Sequence, residues 1–417
     1  MLRLAPYWRM LMRIEPLPPG QGMIHRVEIE NYGSIRERQE LDLRIPATAP
    51  DLDRFVRSKG DENVRLPTVV AFFGPNASGK TTVLRAMASA IEFAALSFER
   101  QPDSSIPFLQ PFRAGDWRNR PTRIEVDFDA GWIGGQRHLY RYQLSVAHGA
   151  TAGGQRVLQE SLLVRDGSRF RFLFRRDEQV IRCAKELQLP PADPRLEAVR
   201  PNASVISTLA QLNHQFFGAV AQDISLIQRN IRGYHLRPDI GVALEFLEVR
   251  RDAVDDLVTE LSRLDTGLTD VRIEKTPCGL VATFSHEGLD ERVTLSEESN
   301  GTRCFIALFP ALWLSLMTGR PALLDEFDVD LHPMLIPEIL GWFQNPAINE
   351  HHAQLFVAAH NVSIMEALEK EEIYLVEKSR DGASSVYGLK DIKGVRREPS
   401  LQRKYLGGVF GAVPTIG

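Results

Sequence analysis

The spacing of hydrophobic and polar positions divides the chain into stretches of different period. Beyond Met23, Val27 and Ile29 and then Leu41 and Leu43 alternate with polar residues, and Asn31-Tyr32-Gly33 falls between them, which predicts a strand hairpin. Thr68 to Phe73 is an unbroken apolar run, the mark of a strand covered on both faces. After a glycine-containing loop, the Ala-rich stretch Thr81 to Phe98 predicts a helix. Alternation returns at Arg123–Phe128, His138–Val146, Gln159–Val164 and Phe170–Phe174, with Gly134-Gly135 and Asp166-Gly167 as turns, so an antiparallel layer is expected. Pro190-Pro191 breaks the pattern. From about Ser204 to Leu264 apolar residues such as Leu244, Leu247, Val254, Leu257 and Leu261 recur at helical spacing, without the sustained heptads of a long coiled coil. Strands are expected again at Val271–Glu274 and Val281–Ser285, then a buried helix over Cys304–Met317 and buried strands at Ala322–Leu324 and Gln354–Ala359.

These patterns predict an α/β fold with an antiparallel β layer and an inserted helical lobe. The expected divisions are a loose leader over 1–22, a first half of the core over 23–180, a helical insertion over 181–270 and a second half over 271–417. Composition agrees with burial-driven folding: 417 residues, 43% hydrophobic and 25% charged, exclude a disordered, collagen-like or disulfide-scaffold chain. Lys and Arg total 50 against 54 Asp and Glu, so the net charge of −4 offers no global attraction to nucleic acid, and any such contact must be a local patch. Cys183, Cys278 and Cys304 are too widely spaced for a disulfide framework or a CxxC metal site, which fits a reducing cytoplasm. The apolar stretch Cys304–Met317 contains Pro310 and is shorter than the ~20 residues of a membrane helix, so no membrane partner is expected. Arg3, Arg9 and Arg13 without a continuous apolar run argue against a secretory signal in the leader.

Gly74-Pro75-Asn76-Ala77-Ser78-Gly79-Lys80-Thr81 fits GxxxxGK[ST] between a buried strand and a helix, the context that a phosphate-binding loop needs. Glycines let backbone N–H groups wrap the phosphates, the helix N-terminus adds partial positive charge, Lys80 neutralises the β- and γ-phosphates, and Thr81 would ligate Mg²⁺. Gly74, Asn76, Ser78, Gly79, Lys80, Thr81 and Thr82 are therefore the candidate ATP-binding residues. A second element, Pro321-Ala322-Leu323-Leu324-Asp325-Glu326, is an apolar strand ending in two carboxylates, at the strand end where open α/β sheets bind ligands. Asp325 is suited to hold Mg²⁺ through water, and Glu326 to orient or deprotonate the attacking water. His360 follows the strand Leu355–Ala359 and would reach the γ-phosphate, or else simply cap the turn at Asn361; His332, between Leu331 and Pro333, is a packing candidate. Ser299-Asn300-Gly301, just before the apolar helix, forms either an N-cap or a second helix-terminal anion site. In the latter case each loop supplies half a site, and two copies must face each other with ATP between them.

The order Gly74–Thr81, Ser299-Asn300-Gly301-Thr302, Leu323–Glu326 and His360 resembles the Walker A, signature, Walker B and switch-histidine series of ABC-type ATPases. More narrowly, Val27–Tyr32, Arg200-Pro201-Asn202-Ala203, Asp325-Glu326-Phe327-Asp328 with Leu331-His332-Pro333, and the tail Tyr405–Pro414 resemble the soluble RecF-like and SMC-like ATPases of prokaryotic abortive-infection systems. The resemblance implies a P-loop NTPase fold, ATP and Mg²⁺ as ligands, a D-loop over Asp328–His332, catalytic roles for Glu326 and His360, and Gln110 as the loop glutamine that senses the metal. It further implies a cytoplasmic ATP-hydrolysing switch that dimerises around ATP and controls a separately encoded effector in anti-phage defence. The alternatives are a RecF-like DNA-repair ATPase and a nucleotide-gated scaffold with negligible turnover. Asn300 and Thr302 stand where transporters carry glycine and glutamine, which points to the soluble branch. The spacing from Lys80 to Asp325 leaves no room for a long SMC arm, and the short stretch after His360 none for a fused nuclease. Arg165, Arg169, Arg171, Arg175 and Arg176 form one basic cluster and Lys390, Lys393, Arg396, Arg397, Arg403 and Lys404 another. The first is either the wet side of a strand or a nucleic-acid contact.

Overall fold

The computed structural model describes residues 22–102, 104–149, 154–231, 239–263, 267–277, 279–329, 331–395 and 401–414. Nearly all of the leader, Cys278, Asp330, Arg396 and Arg397 thus lie outside the described residues. In chain order, β1 (Ile24–Glu30) and β2 (Gln39–Asp42) form the expected first hairpin. The small hairpin of β3 (Phe55–Arg57) and β4 (Arg65–Pro67) leads to β5 (Val69–Phe73) and helix α1 (Lys80–Leu96). The strands β6 (Thr122–Ile133), β7 (Gln136–Ala147), β8 (Arg156–Asp166), β9 (Arg169–Asp177) and β10 (Val180–Cys183) then meander. Helices α2 (Pro194–Glu197), α3 (Val205–Gln211) and α4 (Gln215–Ser225) precede the two-residue strand β11 (Gln228–Arg229). Helices α5 (Ile240–Val249) and α6 (Arg251–Arg263) are followed by β12 (Leu268–Thr276), β13 (Gly279–His286) and β14 (Val293–Thr294). The C-terminal part holds α7 (Asn300–Thr318), β15 (Ala322–Leu324), α8 (Leu335–Gln344), β16 (Leu355–Ala358), β17 (Ile373–Lys378), β18 (Ser384–Gly388) and α9 (Leu401–Leu406).

Two large sheets carry the molecule. One is antiparallel, in the order β10-β9-β8-β7-β6-β1-β2. The other runs β11-β15-β16-β5-β17-β18 and is parallel except for β18. The all-apolar β5 sits in the middle of the parallel sheet with both faces used. Val70 and Phe72 pack towards α1 and the antiparallel sheet, and Val69, Ala71 and Phe73 pack towards α5 to α9. Helix α1 is enclosed by the two sheets. That position explains its many alanines, since small side chains let both layers approach a helix with little polar face left to solvate. Ser299 caps α7 at Asn300, four residues before the apolar run begins. The helix runs through buried Pro310 and ends at Gly319, whose φ of 68° suits the left-handed C-cap. By length and hydropathy alone the α1 and α7 regions could each cross a membrane, but 61% and 67% of those windows are buried inside the fold.

The helical stretch expected over 181–270 is present as helices but does not stand apart as one lobe. β10 extends the antiparallel sheet, and α3 and α4 bury Leu209, Phe217 and Val220 in the same core as α1. β11 joins the parallel sheet beside β15, while α5 and α6 bury Leu244, Leu247, Val254 and Leu257 on that sheet's opposite side, with α7. Helical periodicity identifies a buried stripe but not the layer that receives it, and a two-residue strand is too short to have a period.

Candidate functional site

The phosphate loop leaves β5 at Gly74 and enters α1 at Lys80. Gly74 and Gly79 have φ of 156° and 116°, and Ala77 is left-handed at 60°. A Cβ at Gly74 would lie 2.8 Å from Ser78 Oγ and run into the Val376 carbonyl of β17, while one at Gly79 would lie 2.9 Å from Ser34 Oγ. Both glycines are thus required by close packing as well as by φ. No side chain caps the N-terminus of α1 and no acidic residue sits in its first turn, which leaves its leading N–H groups available to an anion. Lys80, only 5% exposed, donates through Nζ to Gly74 O (2.8 Å) and Pro75 O (3.2 Å). Burial lowers its pKa, opposed by the carboxylates of Asp325, Asp328 and Glu326. The Ser78 hydroxyl is buried with no hydrogen-bond partner. Asn76 is exposed, and Thr82 accepts from Ser34 Oγ at 3.1 Å.

Strand β15 delivers the two carboxylates to the same place. Asp325 is 1% exposed, and the Thr81 hydroxyl lies beside it as a hydrogen-bonding neighbour that favours its charged form. Burial raises its pKa, the Thr81 bond lowers it and the neighbouring Glu326 charge raises it further; its Oδ2 is buried without a partner. Glu326 has φ 49°, a conformation that costs a non-glycine residue on the order of 1–3 kcal/mol and clusters at functional sites. Asp328 Oδ2 accepts the backbone N–H groups of His360 (2.7 Å) and Asn361 (2.6 Å). The His360 ring is exposed at the end of β16, and the turn that follows is capped by Asn361, which accepts from Ser363 N at 3.0 Å. His332 is exposed instead of packed, its Nδ1 accepting from Met334 N at 3.2 Å.

Ser299 and Gln110 stand elsewhere. The exposed Ser299 hydroxyl accepts from Thr302 N at 3.0 Å as an N-cap, the neighbouring Glu298 pairs with His286 at 2.6 Å, and Asn300 accepts from Arg303. Among the described residues no hydrogen bond or ion pair joins Ser299, Asn300 or Gly301 to the phosphate loop or to Asp325 and Glu326. Gln110 Nε2 donates to Pro107 O at 2.9 Å, and the residue borders a pocket of about 580 Å³ that also touches Ser34, Thr82 and Arg85. Among the described residues no hydrogen bond joins it to Thr81 or Asp325.

Three contributors had no signal in the sequence. Ser384 on β18 donates to Ser78 O (2.6 Å) and Ser34 Oγ (2.8 Å), clamping the loop between residues at opposite ends of the chain. Asn230, just past β11, brackets the main chain of Asp325. In the first basic cluster, Arg176 is fully buried, and Arg165, Arg171 and Arg175 pair with Asp61, Glu186 and Asp177. The three paired arginines fit the wet-strand reading, whereas Arg176 points inward and does not. Lys390 of the second cluster donates to the Arg44 carbonyl at 2.8 Å.

The residues fit a nucleotide triphosphate with a divalent cation. A cradle of N–H groups and Lys80 faces one way, while an unpartnered carboxylate oxygen and a threonine hydroxyl meet beside it. Among the described residues no three His, Cys, Asp or Glu side chains form a metal cage. A cation here would thus draw ligands from phosphate and water, as Mg²⁺ does.

Sheet and loop together define a P-loop α/β protein. The chain belongs to the family described as "AAA domain, putative AbiEii toxin, Type IV TA system", whose model matches residues 69–366, well over half of it. Among solved structures it is similar to the SMC head domain from Thermotoga maritima, at 16% identity and TM-score 0.41 over 88% of this chain and 98% of that one. It is also similar to a Smc head domain with a coiled coil and joint from Pyrococcus yayanosii, at 11% identity and TM-score 0.46 over 93% of this chain and 100% of that one. No curated protein sequence matches the chain.

Proposed function

We propose that the protein binds and hydrolyses ATP, closes as a dimer around it, and acts as a switch on a separately encoded effector in anti-phage defence. The observation that carries the nucleotide chemistry is the meeting of Thr81 with Asp325 beside Lys80, with Asp325 Oδ2 and Ser78 Oγ left buried and unpartnered. Buried polar atoms are normally satisfied, so these two, side by side with Lys80, support a ligand at this loop. Mg²⁺, when bound, would offset phosphate charge, with Thr81 and Asp325 as the residues to hold it. Lys80 would exchange its two carbonyl partners for phosphate oxygens, and Glu326 would take the proton of, or orient, the attacking water. His360, its backbone fixed by Asp328, would donate from the neighbouring strand end. The exposed Ser299 N-cap supports the dimer reading, since among the described residues no hydrogen bond or ion pair ties its helix terminus to the phosphate loop of its own chain. The family description supports the defence setting.

The test separates binding from turnover. Lys80→Ala should abolish ATP binding, whereas Glu326→Gln should retain it and stop hydrolysis, because the lysine acts on ground-state charge and the glutamate on the water. Equal loss of ATP affinity in both variants, measured by calorimetry, would remove these roles.

A further inference from the structure

The ladder between β11 and β15 has a rung that is not made by backbone. Gln228 N donates to Pro321 O at 3.0 Å and Asn230 N to Leu323 O at 3.3 Å, the regular alternation of parallel pairing. The next rung would serve Asp325. There the Asn230 side chain substitutes for a peptide group, with Oδ1 accepting from Asp325 N at 2.8 Å and Nδ2 donating to Asp325 O at 2.7 Å. A primary amide presents the same donor and acceptor pair as a peptide, so it extends the sheet by one residue beyond the end of β11.

That extension falls where the site needs it. Immediately after Asp325 the chain turns left-handed at Glu326, a conformation that persists only where its surroundings over-determine it. On one side β15 pairs with β16 only as far as Leu324 with Val357. On the other side Asn230 holds both polar groups of the Asp325 main chain. We infer that Asn230 is a positioning residue for the carboxylate pair: it locks the Asp325 peptide so that the Asp325 carboxylate meets Thr81 and Glu326 projects from its left-handed turn. Asn230 itself touches neither nucleotide nor metal in this role. This inference rests on the ATPase reading proposed above only for its kinetic consequence, not for the bracket itself.

Two variants separate the possibilities. Asn230→Ala removes both bonds; Asn230→Asp keeps shape and the bond from Asp325 N but sets an oxygen against Asp325 O, and it serves if the alanine variant does not fold. In Asn230→Ala, hydrogen exchange of a peptide spanning residues 322–328 should accelerate, and in Asn230→Asp, where only the repulsion at Asp325 O loosens the bracket, it should accelerate less, while that of one spanning 74–84 stays as in wild type, a readout that needs no activity. Turnover should fall about 10-fold to 100-fold, as small displacements of catalytic groups do, with ATP affinity within about twofold of wild type. Unchanged exchange at 322–328 would overturn the bracket. Accelerated exchange with undiminished kcat would overturn the positioning role. Parallel loss of ATP affinity and of protection at 74–84 would make Asn230 merely structural. A wild-type protein that turns over no ATP would sink the ATPase reading and with it the kinetic role, leaving the exchange result to decide the bracket.

Discussion

Asp328 holds the main chain of His360. Its Oδ2 accepts the N–H groups of His360 and Asn361, at 2.7 and 2.6 Å, so the loop after β15 and the end of β16 are tied together by charge-assisted bonds while the imidazole itself stays exposed. Asp328→Ala leaves both N–H groups without this partner and frees the strand end. Turnover should fall about tenfold or more, with ATP affinity set by the phosphate loop nearly unchanged. Measuring kcat and Kd on the same variant checks it; a variant with wild-type kcat would mean that His360 needs no anchoring.

The stretch Arg200-Pro201-Asn202-Ala203, which resembles a family motif, bonds to the segment after α1 and not, among the described residues, to the phosphate loop. Asn202, 2% exposed, donates to Gln101 O (3.1 Å) and Ser104 O (3.0 Å), Arg200 donates to Phe98 O (2.5 Å), and buried Arg176 donates to Ala203 O (2.6 Å) and Arg200 O (3.0 Å). It clamps the segment after α1 onto the antiparallel sheet. Asn202→Ala should therefore cost about 1–3 kcal/mol of stability by stranding buried carbonyls, with ATP affinity of the folded protein unchanged. Denaturant titration alongside ATP binding tests this; lost affinity at full stability would place the motif in the site.

What could be read from the sequence follows from how local each feature is. The phosphate loop, the strand before it and the helix after it are contiguous, so residue order alone specified Gly74 to Thr81 and the burial of Val69 to Phe73 on both faces. Asp325 and Glu326 were legible because an apolar strand ends on them. Ser34, Asn230 and Ser384 were not, because their roles depend on tertiary approach between segments with no motif. The spread of residues 181–270 over both sheets and the helices on either side of the parallel one escaped for the same reason. A helical period reports that a face is buried, not against what.

Glu372 gives the stability a pH dependence. Burial foremost raises its pKa from 4.5 to about 7, against the opposing effects of Arg54, the Glu369 N–H and Gln344. A carboxyl whose folded value is raised binds its proton more tightly in the native state. Its stabilising contribution is present below the unfolded value and is lost as pH rises through about 7. The shift corresponds to roughly 3 kcal/mol. Glu372→Gln should flatten the decline in thermal stability between about pH 5 and pH 8 relative to wild type. Parallel pH profiles for the two proteins would show that this carboxyl is ionised at no cost.

The dimer reading makes a prediction that neither chain can satisfy alone. Ser299 caps a helix whose terminus is exposed and bonded to nothing in the phosphate loop, whereas Lys80 opens α1 and Asp325 follows β15, close enough for their charges to interact. If the Ser299 loop completes the site of the opposite chain, Ser299→Arg should leave ATP binding by one chain nearly intact and block closure and hydrolysis together, because the phosphate loop is untouched while a bulky cation occupies the contact. Lys80→Ala removes the other half. When the two inactive variants are mixed under exchange, one site of a mixed dimer carries both defects and the other pairs intact Lys80 with an intact Ser299 loop. Activity should therefore reappear, provided one closed site turns over without its twin. Mixed dimers verified by mass that remain inactive would exclude independent composite sites. Normal hydrolysis by Ser299→Arg as a monomer would mean that a single chain holds the whole site.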